Sequence, residues 1–192
     1  MNFRNISPDE LKAADEFQQK ILNPKNEKRY RPFSYIKRQY GICPELFVGV
    51  YKNNKIIGIA FGYVKKSNVL LGELAIDQKF RKMGIGSKLL VFFENRAARI
   101  GKEKIVTGAL EEAEAFYLRK GYKPILFLQI KYSQLPQNYT SISEFKIIKE
   151  TNYVDAKRLF FEVKEPSKQL KVRLINLFHA YDGIYLFEKK LS

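Results

Sequence analysis

The stretch that decides the fold is LLGELAIDQKFRKMGIGSKLL, residues 70–90. It begins as an apolar strand, passes through a basic turn that carries Gly84 and Gly86, and ends as the start of a helix. Backbone N–H groups at a helix start have no intrahelical partner, and the helix dipole adds partial positive charge there. Glycine removes the Cβ atoms that would keep a phosphate group away from those N–H groups. The stretch therefore predicts a phosphate cradle between a strand and a helix.

Two common phosphate motifs do not fit this turn. A Walker A loop needs a lysine followed by serine or threonine after its second glycine, whereas Ser87 and Lys88 stand in the reverse order and the glycine spacing is short. The dinucleotide fingerprint needs a third glycine for close packing of helix on strand, and Leu89 occupies that position. Neither an NTP-binding loop nor a dinucleotide site is predicted.

A third motif does fit, and it has a partner further along the chain. Arg81 to Gly86 reads R-x-x-G-x-G, and it resembles the acetyl-CoA-binding motif of the GNAT superfamily of N-acetyltransferases. The segment AEAFYLRKGYKP, residues 113–124, is similar to the helix of that family with an aromatic-tyrosine pair, a basic end and a glycine-aromatic exit. The two motifs occur in the order that the family has.

The resemblance implies acetyl-CoA as cosubstrate, with its pyrophosphate on the amides from Lys82 to Ser87 and added charge from Arg81 and Lys82. In the family, the strand before this motif splays from its neighbour, and its exposed backbone bonds the pantetheine arm and polarises the thioester carbonyl. The alternatives are a plain helix start and a core strand. The predicted cofactor-binding residues are Leu74, Ala75, Ile76, Arg81, Lys82, Met83, Gly84, Ile85, Gly86 and Ser87.

The resemblance also implies two catalytic residues. Tyr117 matches the tyrosine that protonates the departing thiolate, the alternative being a core aromatic beside Phe116. Glu73 is the candidate base, although it is displaced by one residue from the commonest glutamate position, which is Gly72 here; a solvated or ion-paired carboxylate is the alternative. Glu111 and Glu112 are fallbacks for the base. The asparagine that the family places seven residues before the tyrosine is replaced by Leu110.

Patterning along the chain agrees with an α/β (α+β) fold of the GNAT type, a mixed central sheet flanked by helices. Residues 1–135 predict the order β-α-α-β-β-β-α-β-α-β, with a capping sequence from Ser7 to Glu10 and a tight hairpin at Asn53-Asn54. Residues 136–192 predict a C-terminal ββαβ appendage of unknown role after a linker at residues 135–138. Such a unit is close to the lower size limit for independent folding, so we expect it to pack on the main domain or on a second subunit.

Composition narrows the class of protein. The chain has 192 residues of which 45% are hydrophobic, which fits one domain of ordinary size with a modest addition. No apolar run has the length of a membrane span or the layout of a signal peptide, so a cytoplasmic protein with no membrane partner is expected. Cys43 is the only cysteine and His179 the only histidine. A structural role is expected for His179, and no metal site is predicted.

The net charge of +15 makes nucleic acid or the ribosome a candidate partner, because a positive surface attracts polyanions over long range. The densest cluster combines basic and aromatic residues, although a solvated basic loop is the favoured interpretation.

The function that the two motifs imply is acetyl-CoA-dependent transfer of an acetyl group to a primary amine of a small molecule or a polypeptide by direct attack on the thioester. The alternative is a non-catalytic module that binds nucleic acid or the ribosome. In the family, the loop after the first helix borders the acceptor cleft, so the resemblance implies that this cluster disfavours polyamine acceptors and favours acidic or neutral amines or a polypeptide N-terminus. The cluster consists of Lys25, Lys28, Arg29, Tyr30, Arg31, Phe33, Tyr35, Lys37, Arg38 and Tyr40.

Overall fold

A computed structural model of the chain describes residues 1–23, 31–142 and 144–191. The chain divides into two compact units: an N-terminal unit, Met1–Val106 with Lys190–Ser192, and a C-terminal unit, Thr107–Lys189. The predicted element order for residues 1–135 is confirmed. Of the predicted basic cluster, Lys25, Lys28, Arg29 and Tyr30 lie outside the described residues.

The N-terminal unit is built on a mixed sheet in the order β1-β2-β3-β4-β5. All neighbouring pairs are antiparallel except β4 and β5, which are parallel. The strands are β1 (Asn2–Asn5), β2 (Phe47–Lys52), β3 (Lys55–Lys65), β4 (Asn68–Ile76) and β5 (Lys104–Gly108), and the helices are α1 (Leu11–Leu22), α2 (Phe33–Ile42) and α3 (Ile85–Arg99).

Helices cover both faces of this sheet. Side chains of β3 alternate between the faces, so Phe61 and Tyr63 join a buried cluster with residues of α1 and α2. Gly62 points to the other face, where a Cβ atom would come within 2.6 Å of the Phe93 ring on α3. The GNAT-type expectation of a mixed sheet flanked by helices is confirmed. The cluster on the α1 and α2 side comprises Ile6, Leu11, Ala14, Ile36, Phe47, Ile59, Phe61, Tyr63 and Ala75.

Two local sequence signals have counterparts in the structure, one in the turn between β2 and β3 and one before α1. Asn53 and Asn54 both have positive φ, 49° and 59°, and join β2 to β3 in the two-residue turn that the sequence predicts. The N–H of Ser7 donates to Glu10 Oε2 at 3.1 Å, which is the back-bond of the predicted capping box. The helix itself begins only at Leu11, because residues 8–10 form a turn.

The C-terminal unit has a sheet in the order β9-β6-β8-β7, in which all pairs are antiparallel. Its strands β7, β8 and β9 with α5 confirm the predicted ββαβ segment. Because β6 pairs with β8 on one edge and β9 on the other, it groups with this segment; the predicted domain boundary after residue 135 stays a prediction. The elements are α4 (Glu111–Arg119), β6 (Lys123–Lys131), β7 (Ile147–Tyr153), β8 (Ala156–Glu162), α5 (Lys168–Phe178) and β9 (Asp182–Lys190).

Cys43 and His179 take no part in a cluster of metal-binding side chains. Within the described ranges, no group of three or more His, Cys, Asp or Glu residues could hold a metal ion. Cys43 is buried, and burial raises the pKa of its thiol to about 11, so the thiol is protonated at neutral pH. His179 ends α5 in the left-handed conformation, with φ of 52°. None of the helices that the structure describes is long and apolar enough to cross a membrane.

Candidate active site

The start of α3 has the geometry of an anion cradle. Gly84 is the N-cap residue and has φ of 74°, and Lys82 before it has φ of 60°. The first bond of the helix runs from the N–H of Lys88 to the carbonyl of Gly84 at 3.1 Å. The amides of Ile85, Gly86 and Ser87 therefore have no acceptor within the helix. These amides and the helix dipole together favour a bound anion.

Glycine is needed at position 84 for its backbone conformation. A Cβ atom there would have no heavy atom within 4 Å, so space is not the constraint, whereas a φ of 74° is a conformation that glycine adopts without strain. Gly101, just beyond the other end of α3, has the same properties with φ of 73°. The two glycines therefore form a matched pair at opposite ends of one helix.

The basic turn before α3 is tied to the end of β4. The side chain of Asp77 accepts the N–H of Lys79 at 2.9 Å and opens a short 3₁₀ turn, Gln78–Phe80. The Nε atom of Arg81 donates to the carbonyl of Ile76 at 3.1 Å. Arg81, Lys82 and Met83 are exposed. The contact by Nε fixes the turn on the strand, and the attraction of phosphate by the guanidinium stays a prediction.

One edge of β4 opens toward the same turn. In the described pairing, β5 meets β4 only at three register positions, from Asn68 to Leu70. The N–H of Asp77 donates to the carbonyl of Ile57 on β3 at 2.9 Å. Because backbone groups alternate along a strand, those of Ala75 also point to β3, and those of Leu74 and Ile76 point to the opposite edge. Of the three predicted backbone contacts, Leu74 and Ile76 have the orientation to receive a ligand that adds to the sheet.

A β-bulge decides the position of the candidate base. Phe61 pairs with Glu73 and the next residue, Gly62, pairs with Leu71, so Gly72 is the extra residue. A Cβ atom on Gly72 would lie 2.2 Å from Cε2 of the Tyr63 ring. The tyrosine therefore occupies the space that a side chain at position 72 would need, and the carboxylate comes from Glu73, one residue later.

Glu73 is buried and paired. Its Oε1 atom accepts a hydrogen bond from Arg31 Nη1 at 2.6 Å, and its Oε2 atom accepts one from the Tyr63 hydroxyl. Burial raises the pKa of Glu73, while Arg31 and Tyr63 favour the ionised form and oppose the shift. The ion-paired alternative from the sequence is what the structure shows. The role of Glu73 as base stays a prediction, and a raised pKa suits it, because a general base works best near the ambient pH.

Tyr117, in the C-terminal unit, is a buried member of an aromatic group. The centroid of its ring lies 5.4 Å from the Tyr122 ring centroid and 5.7 Å from the Phe187 ring centroid. Its hydroxyl is in hydrogen-bond contact with the Thr107 side chain. Burial raises the pKa of the Tyr117 hydroxyl. The packing role is present, and the role in protonating a thiolate stays a prediction.

Three positions before Tyr117, the departure at Leu110 and the two fallback bases, are exposed. Leu110 is the N-cap residue of α4 and is 65% exposed. Glu111 and Glu112, the fallback bases, lie exposed in the first turn of α4, where their charge complements the helix dipole.

Sequence reasoning missed a buried polar pair on α1, Asp15 and Gln18, of which Asp15 acts on the pKa of Glu73 through its charge. Asp15 is 1% exposed on α1, and its Oδ1 atom accepts a hydrogen bond from Gln18 Nε2 at 3.1 Å. The signal that could have found them is helical spacing, because Gln18 and Asp15 continue the buried stripe of Leu11 and Ala14. Polar residues on the apolar stripe of a helix indicate a buried polar site.

Comparison with known proteins agrees with this geometry. Residues 44–124 match the model of the acetyltransferase (GNAT) domain family. No curated protein matches the chain. A putative N-acetyltransferase from Lactobacillus plantarum has a TM-score of 0.55 at 12% identity, with all of both chains covered.

Two further solved structures of similar fold carry coenzyme A or an analogue. Naa50 of Arabidopsis thaliana, in complex with the bisubstrate analogue CoA-Ac-MVNAL, has a TM-score of 0.53 at 16% identity, covering 84% of this chain and 97% of that chain. The diaminobutyrate acetyltransferase EctA of Paenibacillus lautus, in complex with L-2,4-diaminobutyric acid and coenzyme A, has a TM-score of 0.51 at 12% identity. It covers 86% of this chain and 96% of that chain. The matched segment and the similar folds agree with the resemblance to GNAT acetyltransferases.

Proposed function

We propose that the protein is an acetyl-CoA-dependent N-acetyltransferase that transfers an acetyl group to a primary amine. The observation that carries the proposal is the junction of β4 and α3, where an outward-facing strand edge leads within a few residues into a glycine-opened helix start. The strand edge fits an extended pantetheine arm, and the helix start fits a pyrophosphate. The CoA-containing structures of Naa50 and EctA support this assignment.

The cradle binds the substrate through groups that need no rearrangement. The amides of Ile85, Gly86 and Ser87 point along the axis of α3 and donate to phosphate oxygens, with the positive end of the helix dipole behind them. The first turn of α3 holds no acidic side chain that would oppose this charge. Lys82 and Arg81 add cationic charge from the exposed turn.

The backbone of β4 aligns and polarises the thioester. An outward N–H of Leu74 or Ile76 donates to the acetyl carbonyl oxygen, where negative charge develops during attack. Such a donor is held by the sheet and loses no freedom during the reaction. Its contribution is electrostatic and grows from the ground state to the transition state.

Proton transfer completes the reaction. An acceptor that arrives as an ammonium ion must lose a proton, and Glu73 is the carboxylate nearest along the chain to the Leu74 amide. The amine nitrogen then forms a bond to the acetyl carbon, and the carbon–sulfur bond breaks with its electron pair on sulfur. The family resemblance assigns protonation of this thiolate to Tyr117.

A matched pair of glycine variants tests the cofactor site. Gly84→Glu and Gly101→Glu introduce the same side chain at nearly equal positive φ, both into open space, at opposite ends of α3. Acetyl-CoA should raise the melting temperature of the native protein and of Gly101→Glu. Gly84→Glu should lose this stabilisation, because its carboxylate repels the pyrophosphate. Equal stabilisation of the two variants would exclude the cradle.

The net charge of +15 supports a second candidate, a module that binds nucleic acid. That candidate requires affinity for nucleic acid that falls steeply with salt, without stabilisation by acetyl-CoA. Release of free thiol from acetyl-CoA in the presence of amine acceptors decides in favour of the enzyme.

A further inference from the structure

We propose that the Arg31–Glu73 pair binds the acceptor and selects a free amino acid, with its amine on Glu73 and its carboxylate on Arg31. The inference rests on the proposed function, since it names the substrate class for the same site. It depends on a guanidinium and a carboxylate that lie side by side. The carboxylate belongs to Glu73, which directly precedes Leu74, the residue whose amide faces outward.

The two charges are placed in the order that a zwitterion needs. Arg31 Nη1 and Glu73 Oε1 are 2.6 Å apart, and the exposed fractions of the side chains are 21% for Arg31 and 7% for Glu73. The carboxylate is therefore the inner group, and the cation faces outward. An amine that approaches the strand edge meets Glu73, while a carboxylate carried on the neighbouring carbon meets Arg31.

Tyr63 holds both groups of the pair in place. Its hydroxyl donates to the other oxygen of Glu73, and the guanidinium of Arg31 lies over its ring, 5.0 Å from the centroid. Tyr63 itself is 1% exposed, and its ring contacts the rings of the half-buried Tyr35 and of the core residue Phe47. A fixed ring under the guanidinium preserves its orientation when its ion-pair partner changes.

Charge balance favours an acceptor that carries both signs. A zwitterion adds no net charge to a buried ion pair, so each charge keeps a partner of opposite sign when the acceptor enters. A simple amine supplies a partner for Glu73 and leaves Arg31 with less compensation. A polyamine adds further positive charge beside the guanidinium, which is unfavourable. A carboxylate matches the planar guanidinium through charge-assisted hydrogen bonds.

The test compares free L-amino acids with their carboxamides as acceptors, with acetyl-CoA and a thiol-release readout. The two members of each pair differ in covalent structure only at the carboxylate, and their rates are compared at equal concentrations of unprotonated amine, because the amide is the weaker base. The native protein should prefer an amino acid over its amide by about tenfold or more in kcat/KM, as a charge-assisted contact of ordinary strength predicts. Arg31→Gln should lose this preference while its rate on the amide changes less.

Control variants separate recognition from folding. Arg99→Gln removes an exposed guanidinium in the last turn of α3 and should retain the preference. Arg31→Lys keeps the charge and loses the planar fork, so an intermediate preference is expected. Melting temperatures of all variants identify any that fail to fold.

Three results would overturn the inference. These are an equal loss on acid and amide in Arg31→Gln, no preference in the native protein, or no binding of amino acids by calorimetry with acetyl-CoA or CoA present. The equal loss would make Arg31 a positioning residue for Glu73. Failure of acetyl-CoA to bind at all would overturn the proposed function, which the melting-temperature measurement identifies separately.

Discussion

The hydroxyl of Tyr63 donates a hydrogen bond to the carboxylate of Glu73 across β3 and β4, beside the bulge at Gly72. This contact joins two features that the sequence presents separately: a glycine at the position where the family most often has a glutamate, and a glutamate one residue later. The ring fills the space over the glycine and the hydroxyl captures the displaced carboxylate. The bulge, the glycine and the tyrosine therefore form one structural unit.

Gly72→Ala tests this unit. Its Cβ atom would stand 2.2 Å from the Tyr63 ring, which is buried and has little room to move. We expect the free energy of unfolding to fall by about 1–3 kcal/mol, as overpacking of a core does. Gly41→Ala is the control, because a Cβ atom on that α2 residue meets nothing within 4 Å. Urea denaturation should show no destabilisation of the control, and equal effects of the two substitutions would contradict the packing argument.

Glu73→Gln tests the base. The raised pKa of Glu73 places the acidic limb of the pH dependence of kcat/KM above the usual glutamate range, which is centred near about 4.3. Activity should fall as the pH drops through this limb, since the protonated carboxyl cannot accept a proton from the acceptor. The substitution should lower kcat by about 100-fold or more.

Glu112→Gln is the control for Glu73→Gln, because Glu112 is the exposed fallback base in α4. Its kcat and pH profile should match those of the native protein. If Glu112→Gln loses activity and Glu73→Gln does not, the base has been assigned to the wrong carboxylate.

Sequence patterning predicted the elements well where one local signal dominates. The order of strands and helices followed from periodicity, and the hairpin at Asn53-Asn54 followed from the tolerance of asparagine for positive φ. Patterning failed where pairing with a distant strand decides. Asp-Gly is a pair typical of turns, yet Asp182 and Gly183 both belong to β9, because Gly183 pairs with Leu128 on β6 and leaves no room for a side chain there.

The residues of the candidate site divide in the same way, into those that a local signal predicts and those that depend on contacts with distant residues. The glycine-opened helix start is a local feature, so residues 81–87 could be predicted from spacing and flanking residues alone. The partner of Glu73 could not, because Arg31 lies 42 residues away and the contact exists only once α1, α2 and the sheet have packed. The bulge at Gly72 likewise depends on the register of β3 against β4, which hydrophobic alternation does not specify at a single residue.

Tyr117→Phe tests the predicted thiolate acid. The substitution removes one hydroxyl from a buried ring and keeps the aromatic contacts with Tyr122 and Phe187. If the hydroxyl protonates the thiolate, kcat should fall by about 100-fold, and the deficit should be largest for the step that releases thiol.

Thr107→Val separates catalysis from packing at Tyr117. It removes the side-chain partner of the Tyr117 hydroxyl and leaves the hydroxyl itself. A structural role for the hydroxyl predicts similar changes in melting temperature and activity for both variants, and an acid role predicts a large loss of kcat only in Tyr117→Phe. Normal turnover by Tyr117→Phe on a good acceptor would exclude the acid role.

The lowered pKa of Glu10 predicts how the free energy of unfolding depends on pH. Its carboxylate accepts hydrogen bonds from Arg4 at 2.6 and 2.7 Å and from the N–H of Ser7, and the pKa of Glu10 is lowered from 4.5 to about 2, chiefly by the bond to Arg4. A carboxyl group with a lowered folded-state pKa stabilises the fold above its unfolded-state pKa. Its contribution is therefore complete above about pH 4.5 and is lost as the pH falls toward 2.

Glu10→Gln should consequently lower the free energy of unfolding at pH 7, by about 1 kcal/mol for a partly exposed ion pair, and should have a smaller effect near pH 2. Arg4→Met supplies the second arm of a double-mutant cycle. In the Arg4→Met background, Glu10→Gln should change stability less at pH 7, because the main cause of the lowered pKa is gone. Urea denaturation from pH 7 to pH 2 measures all four proteins, and a Glu10→Gln effect that is independent of both pH and Arg4 would show that the ion pair does not stabilise the start of α1.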